Sequence, residues 1–289
     1  MKIEASGVTK KYRSFAALDD VSFTLEEPKI YGLLGRNGAG KTTFMDILAG
    51  HQLPTKGTVQ IDGQKPFDNR NVLQHICLIK EGGNFFKDVK VKELLKTYEF
   101  IYPTWDKELA EELVDIYKLP RKAKTKALSK GMASALGIIV GLASKAPVTI
   151  FDEPYIGLDA AGRKRFYDIL LEEYEAHPRT FIFSTHLIDE VSLLFEEVLI
   201  LQDGKFIMQE SAETMRKKAV SVTGEKEEVE QFIDGKQVIK TKKLANMMTA
   251  YIYGVKEQPE NTKLSFEGIP IQDLMIYLTE EKEADAACS

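Results

Sequence analysis

The chain has 289 residues, enough for one large domain and a small one, and its 44% hydrophobic and 29% charged residues are the balance of a soluble globular protein. A net charge of -5 argues against general binding to nucleic acid or to an anionic membrane. The scattered histidines and the two cysteines, Cys77 in an apolar run and Cys288 near the end, offer no metal cluster or disulfide framework and suit a reducing compartment.

The opening Met1-Lys2-Ile3-Glu4 has no apolar leader core, and the longest weakly polar run, Met132 to Ser144, is too short to cross a bilayer. A cytosolic chain is therefore expected. Ile3 to Tyr12, Val21 to Leu25 and Thr58 to Ile61 read as strands of a small antiparallel sheet, the last closed by a turn at Asp62-Gly63. The ring of Tyr12 is either a platform for a nucleotide base or an ordinary exposed aromatic.

Between those strands, Ile30 to Leu34 reads as a buried strand and Thr43 to Ala49 as a helix stopped by Gly50. They bracket Gly35, Arg36, Asn37, Gly38, Ala39, Gly40, Lys41, Thr42 and Thr43, which fit the pattern G-x-x-x-x-G-K-[ST]. Glycines let successive backbone N–H groups face phosphate oxygens. Lys41 adds positive charge near the β and γ phosphates, and the Thr42 hydroxyl is a ligand for Mg2+.

Ile76 to Ile79 is a predicted strand that runs into a flexible loop, Lys80-Glu81-Gly82-Gly83. A helical stretch follows between about residues 87 and 145. Val91, Leu94, Leu95 and Tyr98 share one helical face, and Leu109, Leu113, Ile116 and Tyr117 share another after a candidate cap at Thr104. Gly137 and Gly141 imply close helix packing. Arg121 to Lys130, the best basic patch, reads as a solvated loop.

Val148 to Phe151 is a buried strand that delivers Asp152 and Glu153 at its end, where ligands bind in a doubly wound sheet. Asp152 is placed to reach Mg2+ through water and Glu153 to polarise an attacking water. Ala160 to Ala176 reads as a helix after Asp159, and Thr180 to Thr185 as a strand ending at His186, a γ-phosphate contact. A hairpin at Asp203-Gly204 leads to the close of the main domain near Lys217. From Ala219 strands alternate with one or two helices, as in a small α+β module without a chemical motif, and Glu280 to Ser289 is expected to fray.

With these residues in place, Leu128-Ser129-Lys130-Gly131-Met132 resembles the LSGGQ signature of ABC-type ATPases. Tyr12 matches that family's adenine-stacking aromatic, Gly157-Leu158-Asp159 its D-loop and Ser184-Thr185-His186 its switch histidine, in order along nearly all of residues 1 to 217. The resemblance implies an α/β P-loop NTPase (RecA-like) core with an antiparallel β subdomain and a helical subdomain at about 87–145, followed by a small C-terminal α+β accessory module at 218–289. It implies ATP and Mg2+ as cofactors and a head-to-tail dimer, homomeric or paired with a related subunit. Each ATP would lie between Gly35 to Thr43 of one subunit and Ser129 to Gly131 of the other. Glu153 would be the catalytic base, His186 would hold the γ-phosphate and the water in line, and Asp159 would link the two sites.

The sequence departs from the family pattern twice. Lys130 and Met132 replace the usual glycine and glutamine of the signature, and Glu81 stands where the Q-loop glutamine touches Mg2+ and senses the membrane partner. A carboxylate at Glu81 remains a Mg2+ ligand. Among subfamilies the chain looks most like Gram-positive exporter ATPases, including those for phenol-soluble modulin peptides. That implies a separate transmembrane permease as partner, docked near loop 81 to 90, no nucleic acid, and a peripheral location on the inner face of the cell membrane. The alternative is a soluble ABC-type ATPase acting without transport, for example in cofactor assembly, and the tail from Ala219 to Leu278 is either a cap, a dimerisation surface or a regulator of turnover.

Overall fold

The computed structural model describes residues 1–26, 28–254 and 263–280. Strands β1 (Ile3–Tyr12) and β2 (Phe15–Leu25) pair antiparallel, with Ile3 opposite Leu25 and Tyr12 opposite Phe15. β3 (Ile30–Leu34) is buried at every residue, as a strand covered on both faces must be, and leads through the phosphate loop into α1 (Lys41–Leu48). β4 (Lys56–Ile61) returns to β1 and completes a three-stranded antiparallel sheet in the order β2-β1-β4.

After the short α2 (Arg70–Leu73), β5 (Ile76–Ile79) enters a second sheet. The expected helical stretch then forms α3 (Val91–Ile101), α4 (Lys107–Ile116) and α5 (Lys130–Ala143). β6 (Val148–Asp152), α6 (Ala160–Ala176), β7 (Thr180–Ser184), α7 (Ile188–Val191), β8 (Glu197–Gln202) and β9 (Lys205–Ser211) complete the main body. The large sheet has six strands in the order β5-β6-β7-β3-β8-β9, all parallel except β9. In this order β6 and β3 flank β7, so the chain leaves all three strands at one edge, beside Gly35, Glu153 and Thr185.

Two local details differ from the sequence-based expectation. The N-cap of α4 is Asp106, whose carboxylate accepts from Leu109 N at 2.9 Å, while Thr104 donates its hydroxyl to Ser144 O at 2.7 Å. Thr104 therefore ties α4 to the end of α5 instead of capping it. Gly137 and Gly141 do allow close approach, but to the sheet: a Cβ at Gly137 would stand 2.8 Å from Ile79 Cγ2, and one at Gly141 2.5 Å from Phe151 Cε1. The basic loop is exposed, and its charges are paired there, Arg121 with Glu111 and Asp115, and Lys124 and Lys126 with Asp88.

α8 (Ala212–Lys218) leads from the main body into the tail, which runs as β10 (Ala219–Glu225), α9 (Lys226–Ile233), β11 (Val238–Leu244), β12 (Met247–Tyr253), β13 (Ser265–Gly268) and α10 (Ile271–Thr279). Its strands form an antiparallel sheet in the order β11-β12-β10-β13, with a core of Val220, Val222, Val229, Met248, Ala250 and Ile252. Ile271, Leu274 and Met275 of α10 join the core of the main body. Glu280 pairs with Lys240, and the rest of the segment expected to fray lies outside the described residues. No helix among the described residues is long and apolar enough to cross a membrane.

Candidate nucleotide site

The loop between β3 and α1 is shaped by backbone conformations that side chains resist. Gly35, Gly38 and Gly40 have φ of +152°, +84° and +108°, and a Cβ at Gly35 or Gly40 would collide with the carbonyl oxygen of Leu201 or Ala17. Gly40 caps α1 without a side-chain acceptor, and no acidic residue stands in the first turn. The first N–H groups of the helix are thus left for an anion. Lys41 Nζ donates to Gly35 O at 2.7 Å and to Arg36 O at 3.1 Å, so its ammonium lies across the same cradle. Burial lowers the basicity of Lys41, opposed by the negative charges of Glu153 and Asp152.

Thr42 Oγ1 donates to Asp152 Oδ2 at 3.1 Å, across 110 residues of sequence. Asp152 ends β6 opposite Ser184, and burial pushes its carboxyl above the ordinary range; the neighbouring Ser184 hydroxyl, the hydrogen bond from Thr42 and the charges of Lys41 and Lys80 partly oppose this. A hydroxyl and a desolvated carboxylate beside an open anion cradle suit a hard divalent ion that arrives with phosphate oxygens. No group of three or more His, Cys, Asp or Glu among the described residues could hold a metal by itself.

Glu153, one residue beyond the strand, adopts a left-handed φ of +52° and donates its backbone N–H to Ser184 O at 3.0 Å. That turn swings its carboxylate toward the end of β7. His186 Nδ1 stands 2.8 Å from Glu153 Oε2, and the Tyr155 hydroxyl donates to the same oxygen at 2.9 Å. The structure therefore brings Glu153 and His186 into contact. Sequence reasoning missed Tyr155, although its place two residues after Glu153 was a usable signal.

The remaining sequence-predicted residues divide. Tyr12 lies at the β1–β2 hairpin with a 43% exposed ring, donates its hydroxyl to Gln52 Oε1 at 2.5 Å and has Lys10 Nζ 5.3 Å from its ring centre. Ser129 caps α5 by accepting from Met132 N at 3.2 Å, and Asp159 caps α6 by accepting from Gly162 N at 2.7 Å. A Cβ on Gly131 would stand 2.5 Å from Gly157 O, and Ser134 donates its hydroxyl to Ile156 O at 2.5 Å, so the Ser129–Gly131 segment is pressed on the loop containing Asp159. Asn37, Ala39 and Thr43 occupy the phosphate loop and the first turn of α1. Glu81 pairs with Lys130 at 3.5 Å, while its neighbour Lys80 pairs with Asp46 at 2.5 Å.

A family model described as ABC transporter matches residues 18–156. The chain is 31% identical over 219 residues to the bacitracin transport ATP-binding protein BcrA of Bacillus licheniformis, covering 75% of this chain and 72% of that protein. It belongs to the ABC transporter ATP-binding family. The ABC transporter ATP-binding protein YhcH of Bacillus subtilis is 34% identical over 208 residues, covering 71% of this chain and 68% of its own length. Among solved structures, the dimeric structure of MJ0796, a bacterial ABC transporter cassette, superposes with a TM-score of 0.65 at 24% identity, covering 73% of this chain and 98% of that one. The fold is that of an ABC ATPase cassette, a P-loop α/β fold, and the chain is an ABC-type ATPase.

Proposed function

We propose that this chain is the ATP-hydrolysing subunit that energises a separate transmembrane permease for the export of a peptide or a toxic amphiphile. The observation that carries the chemistry is the convergence of Lys41, Thr42, Asp152, Glu153 and His186 at one edge of the parallel sheet. In this reading Lys41 and the first N–H groups of α1 bind the phosphates, Thr42 and Asp152 hold Mg2+, and Glu81 adds a ligand from its loop. The ion, when bound, neutralises charge that develops on the phosphate oxygens. Glu153 takes the proton of the attacking water and His186 holds that water in line.

Ser129 and Gly131 complete the ATP site of a second subunit, homomeric or related, and Asp159 joins the two sites. Tyr12 contributes its exposed ring to the base. Residues 1–217 form the cassette, with its helical part at about 87–145, and 218–289 an accessory module. The subunit works on the inner face of the cell membrane through its permease and without nucleic acid. The family membership supports the ATPase, and the bacitracin transport role in BcrA's name supports an amphiphilic peptide as cargo.

The test is ATP hydrolysis by the purified chain, alone and after pull-down from its native membrane with partners identified by mass. Glu153→Gln should keep ATP binding and lose most turnover; unchanged turnover would overturn the assignment of the base. A co-purifying polytopic membrane protein that shifts the rate supports transport. Soluble partners alone, with hydrolysis intact, would replace it by cofactor assembly or a similar role.

A further inference from the structure

Glu153, the base of the hydrolysis proposed above, has a left-handed backbone conformation with φ of +52°, and its carboxylate must be held on course. We propose that Tyr155 is the positioning residue for the hydrolytic step, fixing one oxygen of Glu153 and tying it to the segment that carries His186. This rests on the ATPase reading of the same site.

The Tyr155 side chain is 1% exposed, and its hydroxyl reaches Glu153 Oε2 at 2.9 Å. A carboxylate only accepts, so the phenol donates its proton there. The hydroxyl of Thr185 lies against the same phenol oxygen and is free to donate to it. Thr185 Oγ1 in turn accepts from Leu187 N at 2.9 Å. The bonds therefore run in one direction, from the Leu187 N–H through Thr185 and Tyr155 to Glu153, and each hydroxyl both accepts and donates. Burial, reinforced by the charge of Glu153, pushes the phenol's ionisation upward, which keeps the donor in place.

Two consequences follow from the geometry. Oε2 of Glu153 is shared by Tyr155 and His186, which leaves Oε1 to face the attacking water. The relay also enters the chain on both sides of His186, at Thr185 and at Leu187, so a displacement of the histidine pulls on the base. A residue argued to act in this way should change the rate of the bound complex and leave its formation alone.

The experiment compares wild type with Tyr155→Phe, which keeps the ring that packs edge-on to Tyr167 and His186. Thr185→Val is a second variant that cuts the relay without touching the ring. Infrared difference spectra of nucleotide-free protein with labelled glutamate, referenced to Glu153→Gln, should show the Glu153 carboxylate stretch displaced in Tyr155→Phe. In steady state kcat should fall about ten-fold with KM for ATP unchanged, and by a smaller factor in Thr185→Val. An unmoved band or a wild-type kcat in Tyr155→Phe overturns the proposal. A displaced band in a protein whose wild type has no turnover overturns the hydrolytic role and the ATPase reading together, and the wild-type control tells these failures apart.

Discussion

Lys130 Nζ lies 3.5 Å from Glu81 Oε1, so the two places where this chain departs from the ABC motifs are paired with each other. One residue lies in the segment that resembles the signature and the other in the loop that resembles the Q-loop. Both side chains are more than half exposed, which makes the pair weak as a source of stability and responsive to salt. Its interest is that the signature and the loop proposed to face the permease share a charge pair within one subunit.

A double-mutant cycle with Glu81→Gln and Lys130→Gly should return a coupling of about 0.2–1 kcal/mol in urea unfolding at low salt, most of it gone at high salt. A coupling that persists at high salt would mean that the pair is held by more than its charges. The same variants should show the two substitutions acting non-additively on turnover. Additive kinetics would separate the two loops.

The contact of Gly131 with the Gly157 carbonyl oxygen gives a second expectation. Gly131→Ala places a methyl 2.5 Å from that backbone oxygen and should cost about 1–3 kcal/mol on chemical unfolding. Gly82→Ala, where an added Cβ meets nothing within 4 Å, should change stability by about 0.5 kcal/mol or less. Equal effects at the two glycines would show that the signature is not pressed on the D-loop as described.

Much of this site was legible in the sequence because its signals are local. Gly35 to Thr42 follows a buried strand, and Asp152-Glu153 follows another, so each motif carries its own context. The pairings between motifs were not legible. Thr42 with Asp152 spans 110 residues, and Lys130 with Glu81 follows from the way α5 returns beside β5. Thr104 misled because a threonine before a helix resembles a cap, yet Asp106 stands closer to the first turn and its carboxylate reaches Leu109 N. Gly137 and Gly141 looked like a helix contact because their spacing says only that one face is small, and it is Ile79 and Phe151 of the sheet that fill it.

Away from the site, Glu173 stands between two cations, 2.5 Å from Lys145 Nζ and 3.7 Å from Arg179 Nη1, with all three side chains at least 86% buried. Burial lowers the basicity of Arg179, and Glu173 is the first of the groups that restore it. Glu173→Gln should destabilise the protein by about 3 kcal/mol or more, because Arg179 stays buried without its acid and Lys145 keeps only Asp106. A loss below about 1 kcal/mol in urea unfolding would mean that Asp106, 3.5 Å from Lys145, and the carbonyl oxygens that Arg179 reaches suffice without Glu173.

Burial raises the Asp152 carboxyl above the ordinary value of 3.8, against the hydrogen bond of Thr42, the neighbouring Ser184 hydroxyl and the charges of Lys41 and Lys80. The folded chain therefore holds this proton more tightly than the unfolded chain does. Below 3.8 both states are protonated and the stabilising difference is fully present. As the pH rises the unfolded state releases its proton first, so this contribution declines until the folded carboxyl ionises too. Exposed acids such as Asp88 and Asp115, pulled down by Lys126 and Arg121, slope the other way, so the measurement must be a difference. The unfolding free energy of wild type minus that of Asp152→Asn, in nucleotide-free protein, should fall with rising pH from about 3.8 and then level off. A flat difference would show that Thr42, Lys41 and Lys80 offset burial in full, and a rising one that they outweigh it.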